Sequence, residues 1–189
     1  FMTSSRLPHP YGEWIEITNV SEKSIIFNDL LVRLDFNTTP TPEISIDSDQ
    51  IVTPGGSFVI CFDATSLVSR CDFVYGDGQT HDSASTDVPN LSATRGQISL
   101  ITVGDDDSFS VDSLFYWTVS VEFWPPPPEE SIDAHSFELA FSGGIPADGS
   151  TIGDWCRNTT DVFYTLTTEE EGDLYEYGTP GAPNTCTKE

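Results

Sequence analysis

The apolar positions of this chain come in short, separated sets, most of them alternating with polar residues. At residues 12–19 (GEWIEITN), Trp14, Ile15 and Ile17 stand among charged and β-branched neighbours, and Asn19 closes the stretch into a polar turn. This composition predicts a strand that buries a tryptophan and then turns. Residues 24–36 carry Ile26, Leu31 and Leu34 around a bend at Asn28-Asp29, the pattern of a strand–turn–strand. Ile44 and Ile46 alternate with polar residues and predict a short edge strand. Pro40 and Pro42, just before it, remove ladder donors and exclude a central strand at 37–42.

Thr53-Pro54-Gly55-Gly56 is a turn signal, and residues 57–62 (SFVICF) follow as a continuous apolar run, expected to be a fully buried strand. Asp63 is placed to cap a short helix over 64–70, the one helical segment the pattern predicts. Residues 72–75 read as a brief strand, and 76–94, rich in Gly, Asp, Ser and Thr, as a long surface loop. Ile98, Leu100 and Thr102 on one arm, with Leu114, Tyr116 and Val119 on the other, predict a hairpin of 97–103 and 108–119 around 104–107. Residues 125–128 are four prolines in a row, stiff and extended, with Trp124 in front and Glu129-Glu130 behind. Strands are expected at 137–141 and 151–156, then an acidic loop as far as residue 176. The predicted fold class is all-β with one short helix, and no internal repeat is present.

Composition narrows the picture. At 189 residues the chain is long enough for one domain with its own core. Aromatics reach 12% while apolar residues total only 37%, so the core is expected to lean on Phe, Trp and Tyr. Trp14, Trp117 and Trp155 are expected as core anchors, and Trp124, on a loop tip, as a contact residue. No apolar run approaches the ~20 residues that span a bilayer, so no membrane insertion is expected. The chain opens directly in folded-looking sequence, as a domain cut from a longer precursor would.

Charge is the most unusual property. Thirty-one acidic residues face 7 basic ones, a formal net charge of −24. A nucleic-acid backbone would be repelled, and no Lys/Arg cluster offsets that, so no nucleic-acid partner is expected. The simplest role for such a surface is solubility. Calcium is the cofactor the acidity could accommodate, since it takes six to eight oxygen ligands clustered in turns. Asp105, Asp106 and Asp107 with Asp112, at the predicted hairpin tip, are the best-placed set; Glu169-Glu170-Glu171 with Asp173 is a second. Neither has the spaced ladder of a dedicated calcium loop, and no cofactor is required by any motif.

The four cysteines, Cys61, Cys71, Cys156 and Cys186, contain no CxxC pair, which argues against structural zinc. Of three pairings, Cys61–Cys71 with Cys156–Cys186 is preferred, because each bridges an irregular segment without disturbing the other. Paired cysteines imply an oxidising compartment. Catalytic signatures are missing: His9, His81 and His135 fall in predicted loops without zinc spacing, there is no G-x-S-x-G elbow, and Gly55-Gly56 and Gly143-Gly144 lack a following helix or lysine. The chain is expected not to be an enzyme.

Several of these residues, taken in order, resemble a known family. Residues 12–16 (GEWIE), the 53–56 turn with its apolar strand, the hairpin from Gln97, Trp155-Cys156, Gly172-Asp173, residues 178–184 (GTPGAPN) and Cys186 resemble the lamin-tail domain, in the disulfide-bearing form found in exported bacterial proteins. The resemblance implies an immunoglobulin-like β-sandwich over residues 1–189, enlarged by insertions at about 37–49, 76–94 and 120–136. It also implies a non-catalytic module of a bacterial surface or secreted protein, located extracellularly, at the cell surface or in the periplasm. Its expected partner is a protein or a cell-surface component, contacted through Trp124, Glu129 and Glu130, with loop 76–94 as a second surface. An accessory domain of a secreted nuclease or phosphatase, or a structural spacer, is the alternative.

Overall fold

The structure, a computed structural model, describes residues 13–35, 41, 43–62, 71–76, 91, 95–103, 108–117, 134–139, 141–142, 145–146, 154–158, 162–168, 172–177 and 179–180. These residues form an all-β protein; no α-helix occurs among them, and the helix expected over 64–70 lies outside them. The strands of the first two thirds are β1 (Trp14–Thr18), β2 (Ile25–Ile26), β3 (Leu30–Asp35), β4 (Glu43–Ile46), β5 (Ile51–Val52), β6 (Ser57–Cys61), β7 (Phe73–Val74), β8 (Arg95–Val103) and β9 (Ser108–Trp117). A three-stranded sheet in the order β1-β6-β7 and a four-stranded sheet in the order β4-β3-β8-β9 share one core. Ile15, Phe58 and Ile60 come from the first sheet, and Val32, Leu34, Ile44, Ile46 and Ile98 from the second. Alternation along each strand produces this arrangement, because residues two apart share a face. The result is a β-sandwich with an aliphatic centre closed by the Phe27–Phe58 ring pair, 5.0 Å between centroids.

The buried run at 57–62 is confirmed, with Phe58 to Cys61 fully inaccessible to solvent. It is buried on both faces. Phe58 and Ile60 enter the main core, while Val59 and Cys61 pack with Trp14 in a second, smaller cluster on the opposite face. Trp14 is therefore an anchor, as expected, but of the outer face of its sheet. The β8–β9 hairpin is also confirmed, with Ile98 opposite Leu114 and both against the core. Thr102, which shares the alternation of Ile98 and Leu100, is exposed. β4 is an edge strand, as expected for the short Ile44/Ile46 alternation, and Arg33 on β3 holds Glu43 in an exposed ion pair across the register.

One expectation is refined and one needs correction. Ile26 is exposed and Leu31 only half-buried; the inward set of β3 is Leu30, Val32 and Leu34. The strand–turn–strand itself forms as expected: β2 and β3 flank the bend, where Asp29 adopts a left-handed φ of 54°. The acidic loop expected before residue 176 contains a hairpin of β15 (Val162–Thr168) and β16 (Gly172–Tyr177). The β-branched and aromatic content of VFYTLTT outweighs the charge that suggested a loop.

The remaining strands are β10 (Ala134–His135), β11 (Phe137–Leu139), β12 (Phe141–Ser142), β13 (Ile145–Pro146) and β14 (Trp155–Arg157). β10 pairs in parallel with β16, β11 pairs antiparallel with β14, and β12 with β13. Trp155 is half-buried against the main core, which ties this last third of the chain to the sandwich.

Candidate functional site

Polar groups buried inside a β-protein are the natural place to look for chemistry, since each is costly to desolvate and must be satisfied or used. Three sets stand out. Their central residues, Asn19, Glu13 and Glu138, fall in stretches expected to be strands, and Asn19 alone has an expected role, closing its strand into a turn.

The first is Asn19, the closing residue of GEWIEITN, which is buried. Its amide nitrogen donates to the carbonyls of Lys23 (2.8 Å) and Val52 (2.9 Å). Its oxygen accepts from the Ser21 backbone N–H (3.0 Å) and hydroxyl (2.7 Å). Its backbone N–H donates to the Gly56 carbonyl at 2.9 Å and its carbonyl accepts from Gly55 at 2.8 Å. The partner turn is Thr53-Pro54-Gly55-Gly56. The Gly56 N–H closes it onto the Thr53 carbonyl at 2.8 Å, and Gly55 takes a φ of 74° that suits glycine. Asn19 thus welds the end of β1 to the turn before β6.

The second is Glu13, at the other end of the same stretch and 1% exposed. One carboxylate oxygen accepts from the Leu91 backbone N–H at 2.7 Å and from the Tyr75 hydroxyl at 3.2 Å. Leu91 is itself fully buried in the main core. The long segment between Gly76 and Leu91 is therefore gathered at both ends by one carboxylate. Loop 76–94 as a whole lies mostly outside the described residues, but its Leu91 is a core residue and not a surface one.

The third is Glu138 on β11, 2% exposed. Its Oε1 accepts from Thr179 Oγ1 (2.8 Å), Asn158 Nδ2 (3.0 Å) and Ser136 Oγ (3.2 Å). Ser136 and Asn158 are also paired through their backbones, the Asn158 N–H donating to the Ser136 carbonyl at 3.1 Å, which lengthens the β11–β14 ladder by one rung. Thr179 comes from the GTPGAPN stretch, so this carboxylate ties the start of that stretch to β11. The two hydroxyls here, of Ser136 and Thr179, are both buried and both spend their hydrogen on Glu138. The cluster joins β11, the end of β14 and Thr179 through one carboxylate oxygen.

Of the residues proposed as sites from sequence, Asp112 is exposed on β9 and its carboxylate accepts from the Ser113 N–H at 2.7 Å. It stands opposite Leu100 beside a bulge, where Ile101 pairs with Ser110 and Val111 is the extra residue. Asp105, Asp106, Asp107, Trp124, Glu129, Glu130 and Cys186 lie outside the described residues. No group of three or more His, Cys, Asp or Glu among the described residues is arranged to hold a metal ion. Cys61 and Cys71 form a disulfide with Cα atoms 5.9 Å apart, and Cys156 is disulfide-bonded as well. No described helix is long and apolar enough to cross a membrane. Among the described residues the exposed large aliphatic side chains are Val20, Ile26, Ile51 and Val111, with Ile26 paired opposite Ile51 in the β2–β5 ribbon.

Glu138 and its ring carried no sequence signal, because Ser136 and Glu138 alternate with Phe137 and Leu139 as a solvent-facing set would. Glu13 carried one, its place immediately before a buried tryptophan. No protein-family model matches the chain, and no curated protein matches it significantly.

Proposed function

We propose that the chain is a non-catalytic module of an exported bacterial protein, a lamin-tail-like sandwich that presents loops to a protein or cell-surface partner. The observation that carries this reading is the oxidised state of its cysteines: Cys61 is bonded to Cys71, and Cys156 is bonded too. Disulfides of this kind persist outside the reducing cytosol. Support also comes from the two motif stretches on which the resemblance rests, since Asn19 holds a turn in place and Thr179 is tied to β11. In this reading the net charge of −24 serves solubility and keeps nucleic acid away. Contact falls to residues 124–130, with Trp124, Glu129 and Glu130, and to the segment after Gly76.

The test is a partner-capture experiment with shortened loops. Leu91 is a core residue, so the deletions should remove 78–89 and 121–131 and leave Gly76 and Leu91 in place. Loss of captured surface partners with an unchanged unfolding midpoint is expected; retention of every partner would exclude the loops. The ion question is settled beside it by unfolding at constant high ionic strength with calcium, magnesium or a chelator. Equal midpoints are expected. A saturable rise with calcium alone would place a site at Asp105, Asp106, Asp107 and Asp112.

A further inference from the structure

Residues 71–76 form a short strap across the outer edge of β6. β7, its centre, pairs with β6 in parallel through only two residues, Ile60 opposite Phe73 and Cys61 opposite Val74. Asp72 works as an extra rung: its N–H donates to the Val59 carbonyl at 2.8 Å and its carboxylate accepts from the Val59 N–H at 2.9 Å. Beyond β7, the Tyr75 N–H donates to the Cys61 carbonyl at 3.0 Å and the Gly76 N–H to the Phe62 carbonyl at 2.9 Å. Gly76 is obligatory there, because a Cβ would overlap the Phe62 carbonyl oxygen. Phe62 and Tyr75 meet edge to face at 5.4 Å. Every residue of the strap is half-buried, none fully, whereas Phe58 to Cys61 beneath it are all inaccessible.

We propose that the Cys61–Cys71 disulfide is a redox-sensitive latch, whose reduction by a dithiol releases residues 71–76 from β6 while the two-sheet core stays folded. The two sulfurs are unequal. Cys61 belongs to the small cluster with Trp14 and Val59 and is closed to solvent, while Cys71 is half-buried on the strap. A thiolate of the dithiol therefore attacks the Cys71 sulfur, and the electron pair of the broken S–S bond leaves on Cys61, which takes up a proton. The second thiol of the reductant then closes its own disulfide and releases Cys71 as a thiol; two electrons pass to the protein and the dithiol becomes a cyclic disulfide. Without the bond, the chain from residue 61 to 71 regains the freedom that ring closure denied it. What remains on the strap is a two-residue edge pairing with its flanking hydrogen bonds, the Gln50–Asp72 bond at 2.9 Å and the packing of half-buried Phe73 and Tyr75 on the core, a small set of contacts of the class that opens locally. Opening bares the Val59 N–H and the carbonyls of Val59, Cys61 and Phe62, and removes the Tyr75 hydroxyl from Glu13, which keeps Leu91.

Amide hydrogen exchange tests the latch on the oxidised chain, on the same chain with dithiothreitol, and on a Cys61→Ala/Cys71→Ala variant that leaves the Cys156 bond intact. The amides of Asp72, Tyr75 and Gly76 should exchange about two orders of magnitude faster once the bond is gone, the factor expected from reopening a ring of this size. The amides of β3 and β8 should keep their protection. Cys71→Ser provides a second variant that retains the Cys61 sulfur in its cluster. Strap amides that stay protected overturn the proposal, as does acceleration of the β3 and β8 amides in step with the strap. Failure of both variants to fold would also overturn it, since the bond would then hold the whole sandwich. So would acceleration under dithiothreitol that Cys71→Ser does not reproduce.

Discussion

Two parts of this molecule fill their interiors with opposite chemistry. Between β1-β6-β7 and β4-β3-β8-β9 the space is taken by Ile, Leu, Val and Phe side chains, continuous from Ile15 to Ile98. Beside β11 and β14, a carboxylate sits at the centre of two hydroxyls and an amide, with Ser136, Glu138 and Asn158 all essentially excluded from water. An aliphatic core gains free energy from area removed from water, a non-directional effect that tolerates repacking. A hydrogen-bonded cluster gains little net energy but fails sharply when one member is removed, because the others are left desolvated. The sandwich is therefore stabilised by its first region, and the position of Thr179 is specified by the second.

The largest effect should come from a cavity in the aliphatic region. Phe58 is fully buried and packs on Phe27. Phe58→Ala should cost about 3–5 kcal/mol by denaturant unfolding, and Phe58→Leu much less. Near-equal costs would mean that the two sheets close over the gap and that shape matters little here. The polar region should behave in the reverse way. Glu138→Leu supplies a side chain of suitable bulk yet strands the Ser136, Asn158 and Thr179 donors, and should cost about 2–3 kcal/mol. Glu138→Gln keeps an acceptor and should retain most of the stability. If Leu proved as good as Gln, the carboxylate would be a filler and the contrast between the regions would collapse.

The same contrast explains what could be read from the sequence. Strands whose inward residues are aliphatic announce themselves: SFVICF, the Ile44/Ile46 pair and the Ile98/Leu100 arm all fall where alternation puts them. The bend at Asn28-Asp29 was legible as well, although Ile26 and Leu31 beside it turn out exposed and half-buried, because a lone aliphatic residue next to a turn does not say which face it takes. The β15–β16 hairpin was hidden under its acidic neighbours. The Glu138 cluster escaped for a deeper reason. Its donors lie 2, 20 and 41 positions away along the chain, and a buried carboxylate looks in sequence like an exposed one until those donors are brought to it. Disulfide pairing was accessible for Cys61 with Cys71, ten positions apart and flanking one irregular segment.

Asn19 separates the effect of chemistry from the effect of region, because it is a polar residue set within the aliphatic half. Its side chain makes four hydrogen bonds, two as donor and two as acceptor, so no face of the amide is unused. Ser21 can turn to solvent once the amide is gone, and Lys23 is exposed, so three of those bonds are replaceable by water. The Val52 carbonyl is not so placed, since Val52 is buried in the core. Asn19→Ala should therefore cost about 1–2 kcal/mol, the penalty of one desolvated acceptor together with weaker bonds lost. Asn19→Asp is the sharper probe: it keeps both acceptor bonds, loses both donor bonds and sets a negative charge against two carbonyl oxygens. It should destabilise more than alanine does, although alanine removes more atoms. An aspartate as good as asparagine would show that the Ser21 bonds matter and the Val52 bond does not, so that the turn at 53–56 holds its own shape through Gly55 without help from β1.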